Sequence, residues 1–408
     1  MARSPVALTS AFLLLIAACT GADGQPGTSM PATTPPTTAT SSGEIPGRLV
    51  VLDSSGNVVT VDPDGSSPTP ITNDAGDAVV YTQPLWSPDS SRLAWGEQSA
   101  GGVAVEVASP DGTGASETAM SAPPFYLYWS PDGEKLGVLH NGIEGIELEI
   151  VDVEAGTAEV VAGGTPLYFS WSPGSERLVA HVGPDLVTIG LDGASAQAGP
   201  TEPGYAAPHW TGEGIFHLGP GGVELLGTGG TATVLATVRG PVALVANRQG
   251  DLLALQMYAD EDSGISATLS DAPLLPANSV AVLDVASKEV TEVSDGLSAG
   301  FFWSPDGRKL LVLDPTGEPG RADVLVWDGE STSSQFTLDP HPLIIRDVLR
   351  FFDQYSQSHQ LWSPDSAAFV LAGEVEGETG IWVQRVGAEA PTKVLDGTWA
   401  AWSNGAGR

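Results

Sequence analysis

In FFWSPDGRKLLVLD, residues 301–314, an aromatic run gives way to Ser-Pro-Asp-Gly and then to a run of Leu and Val. Serine at the first position of a tight turn bonds the turn backbone, proline presets the second position, and glycine suits the fourth. The stretch reads as two short strands joined by a type I turn. The phrase recurs as LWSPDSSRLAW at Trp86, YWSPDGEKLGV at Trp129, SWSPGSERLVA at Trp171, HWTGEGIFHL at Trp210 and LWSPDSAAFVL at Trp362. A degraded copy, VANRQGDLLAL, has Ala246 at the tryptophan position, and a truncated AWSNG has Trp402 there. Successive intervals are 43, 42, 39, 36, 57, 59 and 40 residues. A period of this length with short strands is the mark of propeller blades.

Each copy carries the pieces of a four-stranded blade. Around Trp303 the expected strands are residues 299–304, 309–313, 323–327 and 335–338. Seven of the eleven tryptophans occupy the repeat position, where a large ring fills the wedge between twisted sheets. The motif is read as structural, not catalytic. It resembles the TolB-type propeller repeat, also called the WD40-like or PD40 repeat, from about Arg48 to the end of the chain. That resemblance implies an all-β fold made of a single β-propeller. It implies little about activity, because the repeat serves in scaffolds, in periplasmic binding proteins and beside peptidase domains.

The last inner-strand sequence, around Trp399–Trp402, has nothing after it, and residues 48–72 supply outer strands with no motif before them. N-terminal strands pairing with the C-terminal strand would complete one blade and remove exposed edges. This gives eight four-stranded blades. Seven is the alternative, should the unit at Trp210 or at Ala246 not be a true blade.

The N-terminus, MARSPVALTSAFLLLIAAC, has one arginine, a short apolar run and small residues before Cys19, the chain's single cysteine. The run is too short to span a bilayer and reads as a secretory signal. Ile16-Ala17-Ala18-Cys19 resembles the lipobox of bacterial lipoproteins, which implies a leader over residues 1–18 and a lipid on Cys19. Residues 19–47, rich in Thr, Pro, Ser and Gly, read as a disordered linker, and residues 48–408 as the propeller. Acidic residues outnumber basic ones 50 to 16, for a net charge of -34. A nucleic-acid binder needs the opposite balance. The expected location is extracytoplasmic, anchored to the outer face of the cytoplasmic membrane or to an outer membrane.

The two long intervals hold insertions at residues 259–278 and 339–360, and strand parity puts both on the face away from the Ser-Pro-Asp turns. Long loops in compact domains are often functional. The second insertion reads as a helix opened by Pro342. Ile344, Ile345, Val348, Leu349, Phe351, Phe352 and Tyr355 share an apolar stripe, opposite Arg346, Asp347, Arg350, Asp353 and Gln354. The expectation is a helix on the propeller rim, polar side to water, with Arg350 near Asp347 and Asp353. A partner-docking lid is the sharper reading. Asp260, Glu261, Asp262, Arg346, Arg350, Glu374, Glu376 and Glu378 form the candidate binding face. Ca²⁺ is the cation such carboxylates would take, but no EF-hand spacing is present and no cofactor is expected.

Catalytic signals are weak. The one Gly-x-Ser-x-Gly, Gly296 to Gly300, precedes an aromatic strand where a nucleophile elbow needs a helix. The six histidines show no metal spacing. The expected function is a membrane-anchored binding scaffold for an envelope protein or an extracellular ligand, held at the insertion face or the channel mouth. The alternative is an enzyme acting on a glycan or peptide through paired carboxylates at that mouth.

Overall fold

The computed structural model describes residues 44–200, 206–227, 229–258 and 272–405, within a compact unit spanning Gly43–Arg408. Cys19, the leader, most of the linker, and Asp260, Glu261 and Asp262 lie outside the described residues. Among the described residues the chain forms six four-stranded antiparallel sheets and one of seven strands. Around Trp303 the strands are Gly300–Trp303, Leu310–Pro315, Ala322–Trp327 and Thr332–Pro340, within a few residues of expectation. The outermost runs long because Asp339 and Pro340 pair with Glu374 and Gly373 of the next unit. That cross-pairing merges two units into the seven-stranded sheet. At Trp362 the inner strand is reduced to one bridge, to Phe369.

Each turn is built the same way. Gly133 donates to the Ser130 carbonyl, Gly307 to Ser304 and Ser366 to Ser363, and the fourth residue of each turn has positive φ. The serine hydroxyl caps the exit: Ser304 Oγ accepts from Lys309 N at 2.9 Å and donates to Asp306 Oδ1 at 2.6 Å. Serine replaces glycine at the strained fourth position in three turns, at Ser90, Ser175 and Ser366, and in the last two its hydroxyl ties neighbouring units together. Ser175 Oγ accepts from Asp132 N at 3.0 Å, and Ser366 Oγ from Asp306 N at 3.1 Å.

The tryptophans link units as well. Indole Nε1 of Trp171 donates to the Tyr128 carbonyl, Trp303 to Val245 and Trp362 to Phe302. Each acceptor directly precedes the equivalent position of the previous unit. In these three the ring fills the wedge and its one polar atom is satisfied, whereas the buried Nε1 of Trp86 and of Trp129 has no protein partner among the described residues.

Strand Gly397–Trp402 pairs with Leu49–Asp53, and that strand with Val58–Val61. Strands far apart in sequence therefore share one sheet, as Val50 opposite Ala401 illustrates. Trp402 Nε1 also donates to the Pro46 carbonyl at 3.0 Å. Residues 45–47, assigned to the linker by composition, are thus held against this sheet.

Candidate functional site

The second insertion does not pack on the rim. It threads the space between the innermost strands, and Asp353, Gln354 and His359 are buried there. The run begins at Pro342 and changes helical type along its length, with a π turn over Ile344–Val348, a 3-10 turn over Leu349–Phe351 and an α turn over Phe352–Tyr355. Phe352, Asp353, Gln354 and Tyr355 are all buried.

Their partners explain why. An innermost strand has no neighbour on its axial side, so its N–H and C=O groups need satisfaction from elsewhere. The Gln354 carboxamide supplies it for Phe169: Oε1 accepts from Phe169 N at 2.8 Å and Nε2 donates to Phe169 O at 2.8 Å. Nε2 also meets the Tyr126 hydroxyl at 2.9 Å, and that hydroxyl donates to the Gln354 carbonyl at 3.0 Å. Asp353 Oδ2 accepts from Ala207 N at 2.8 Å. The Tyr355 hydroxyl donates to Phe125 O at 2.6 Å and accepts from Gln83 Nε2 at 2.7 Å. Phe352 packs edge-on against Phe301, centroids 4.7 Å apart. His359 Nε2 donates to Ala400 O at 2.7 Å. The segment is a plug that joins sheet after sheet through their inner edges.

This arrangement corrects two expectations. Asp353 and Gln354, placed on a water-facing side by helical periodicity, face strand edges. Arg350 does not pair with Asp353; it lies over the Phe351 ring at 5.5 Å. Arg346 is exposed and bonds its neighbour Asp347 at 2.6 and 2.7 Å. Glu374 and Glu378 are exposed at the ends of a hairpin whose turn holds Glu376 at positive φ. Glu378 lies 3.6 Å from Lys393 Nζ. Glu378 and Arg346 are engaged locally, and these residues form no metal-holding cluster. Among the described residues no group of three or more His, Cys, Asp or Glu is placed to hold a metal ion.

The plug enters from the insertion face and leaves on the motif face, where it forms the floor of a cavity of about 400 Å³. Ser356, Gln357, Ser358 and Gln360 supply the floor, and Pro88, Pro131, Pro173 and Pro305 of the Ser-Pro turns stand around the mouth. Tyr128, Trp210 and Trp303 show part of their rings to it, whereas Trp86, Trp129, Trp171 and Trp402 also line it but are almost wholly buried. No described lining residue is Asp or Glu, and the only lysine or arginine is Arg248. Paired carboxylates for glycan cleavage are therefore absent from this described lining. The cavity lies on the motif's own face, the one sequence parity had set aside.

Other reactive-looking groups are held in structural bonds. Ser298, centre of the Gly-x-Ser-x-Gly, is buried, with its hydroxyl donating to Gln256 Oε1 at 2.9 Å. Ser121 Oγ and Glu149 Oε2 both meet the same His140 Nε2, at 3.2 and 3.0 Å. A proton relay needs the serine and the carboxylate on opposite ring nitrogens.

Burial sets the protonation of the plug. The Asp353 carboxyl is pushed up to about 6, and the imidazoles of His209 and His359 are pushed down to about 4. Burial also lowers His181 and His217. The signs oppose. Each histidine, neutral when folded, contributes stability that is present above its ordinary 6.5 and lost as pH falls toward 4. Asp353 takes up a proton on folding between its ordinary 3.8 and about 6, so it favours the folded state as pH falls through that window. Glu106, pushed up to about 7 by burial and by Glu97 and Glu117, acts in the same sense as Asp353. The histidines outnumber these acids, so the melting temperature is expected to fall between pH 6.5 and 4. Asp353→Asn is expected to steepen that fall. A melting curve series with an unchanged or shallower slope in the variant would contradict the assignment.

Comparison with solved structures bears on the fold. The chain is similar to a structure described as the eukaryotic initiation factor, with 13% identity, a TM-score of 0.51, and coverage of 88% of this chain and 99% of that one. It is also similar to oligogalacturonate lyase from Vibrio parahaemolyticus, with 12% identity, a TM-score of 0.50, and coverage of 84% and 98%. The chain folds as a β-propeller. TolB from Acinetobacter baumannii is a more distant likeness, at 14% identity and a TM-score of 0.40 over 71% of this chain and 62% of TolB, less than two thirds of the latter's length. No protein-family model and no curated protein sequence matches the chain.

Proposed function

We propose that this propeller is a lipid-anchored, extracytoplasmic binding scaffold that takes its ligand in the floored cavity on the motif face. The observation that carries the reading is the character of that cavity. In a chain with 50 acidic residues, the lining is aromatic, amide and hydroxyl, with no described carboxylate. A volume of about 400 Å³ lies in the range of small-molecule pockets, roughly 300–1,000 Å³. A rigid ring carrying convergent polar groups is a common scaffold for such a site. The same reading takes the seven-stranded sheet as two blades, giving eight, closed by the pairing of Leu49–Asp53 with Gly397–Trp402.

The anchor rests on Cys19 and its flanking residues. Cys19→Ala is expected to move the protein from the membrane pellet to the soluble fraction, and unchanged pelleting would sink the anchoring. Binding is tested by filling the cavity from its floor. Native mass spectrometry of protein extracted gently from membranes is expected to show a bound small molecule that Ser358→Trp loses without a change in melting temperature. An extracted protein that carries nothing, or the same species retained by the variant, would overturn the binding role.

A further inference from the structure

The unit at Ala246 departs from the repeat in a directed way. Its turn, Asn247-Arg248-Gln249-Gly250, keeps the shape of the others: Gly250 N donates to Asn247 O at 3.1 Å and Gly250 has φ 76°. Asn247 replaces the serine and does its work, with Oδ1 accepting from Gly250 N at 2.9 Å and Leu252 N at 3.2 Å. Gln249 bonds the next unit through Asp306 O at 3.2 Å. The turn is rebuilt with different side chains, so its two remaining changes are not a loss of structure. Ala246 stands where the other units place an indole, and Arg248 stands where five of them place proline.

Both changes face the cavity. Without a ring at Ala246, the tryptophans of the units on either side, Trp210 and Trp303, are partly exposed, while those at the other motif positions on the cavity wall are no more than 6% exposed. Arg248 is exposed and lines the cavity. Its charge reaches across to Tyr128 of the Trp129 unit, where it favours the ionised phenolate against a burial that pushes the hydroxyl up to about 12. Arg248 makes no ion pair among the described residues, whereas seven of the thirteen other described lysines and arginines do.

From this geometry, and resting on the binding reading above, we infer that the gap at Ala246 is a subsite for a flat-ring carboxylate: the ring between Trp210 and Trp303, the carboxylate on the Arg248 guanidinium. The guanidinium fork matches a carboxylate's two oxygens. A doubly charged phosphate would find one cation only, within a protein of net charge -34 whose field repels polyanions. The aromatic flanks favour a planar body by offset or edge contacts.

Indole-3-acetate and its uncharged analogue indole-3-acetamide are the probes, titrated calorimetrically into the full chain in detergent. Wild type is expected to bind the acid about 10-fold or more tightly than the amide, the worth of one charge-assisted contact. Arg248→Pro restores the repeat's own residue and breaks no bond described for this turn. It is expected to remove the acid's advantage and leave amide binding unchanged. Ala246→Trp restores the repeat's indole and is expected to abolish both. Melting temperatures near wild type show that both variants fold. Equal binding of acid and amide, or an acid preference that survives Arg248→Pro, overturns the carboxylate assignment and leaves the cavity as a binding site. Unimpaired binding in Ala246→Trp overturns the subsite's position. No binding of either probe to wild type overturns the subsite and removes this support for the cavity as a ligand site.

Discussion

Gln354→Ala is expected to lower the unfolding free energy by about 2–5 kcal/mol, because it strips the partner from one buried backbone N–H and the stronger partner from one buried carbonyl at about 1–3 kcal/mol each. The groups are the Phe169 N–H and the Phe169 carbonyl; the Tyr126 hydroxyl loses the Gln354 amide but keeps its bond to the main-chain carbonyl of residue 354. The carbonyl keeps a weaker contact, Gln357 Nε2 at 3.4 Å, which puts the expected loss below the sum of two full penalties. Water has poor access, since Tyr126 and Phe169 are 1% and 0% exposed. The side chain acts as a piece of backbone: one amide accepts from and donates to a single residue of the strand, as a neighbouring strand would. Gln354→Glu discriminates this role from simple packing. The carboxylate fills the same space and accepts from Phe169 N, yet it cannot donate to Phe169 O. It is therefore expected to lose most of the same stability at neutral pH and to recover part of it on acidification. Chemical denaturation of the two variants checks the claim. A loss below about 1 kcal/mol for Gln354→Ala, within the range of an ordinary surface change, would show that the plug is not needed to satisfy the inner strands.

A chain ended after Asp396 is expected not to fold cooperatively at all. The cut removes Gly397–Trp402 and with it the ladder along Leu49–Asp53. It also removes Trp399 and Trp402, which are 5% and 0% exposed, and each buried tryptophan is worth about 3–5 kcal/mol on truncation to alanine. The two rings and the lost ladder together match the whole stability of a typical domain, about 5–15 kcal/mol. The plug loses partners too, since His359 bonds Ala400 O and Trp402 N donates to Gln360 O at 2.7 Å. Tryptophan emission shifted to the solvent value, with no sigmoidal thermal transition, is the expected result. A sharp transition near the wild-type temperature would mean that the sheets hold without the pairing of the two ends, and the closure reading would fall with it.

The repeat made much of the fold legible. Ser-Pro-Asp-Gly carries its turn type in its own side chains, so the turns, the flanking strands and the structural use of the tryptophans followed from local chemistry. The plug was misread for a physical reason. Helical periodicity sorts residues into apolar and polar faces, and a polar face is normally solvated by water. In this chain Asp353 and Gln354 are solvated instead by Ala207 and Phe169 backbone groups, distant in sequence and invisible to a local pattern. Arg248 and Ala246 were visible as departures from the repeat, but a degraded motif looks the same on paper whether its turn is lost or rebuilt. The hydrogen bonds of Asn247 separate the two cases.

The sequence by itself determined the unit: its length, its turn, its wedge-filling ring and the pairing of the two chain ends, because each depends on contacts a few residues long or on a period counted along the chain. Only the tertiary structure decided what occupies the axis and which face is hollow. Those depend on which strand edges remain unpaired once the sheets have assembled. The unpaired inner edges drew in a long segment able to satisfy them, and the space left above it is the cavity.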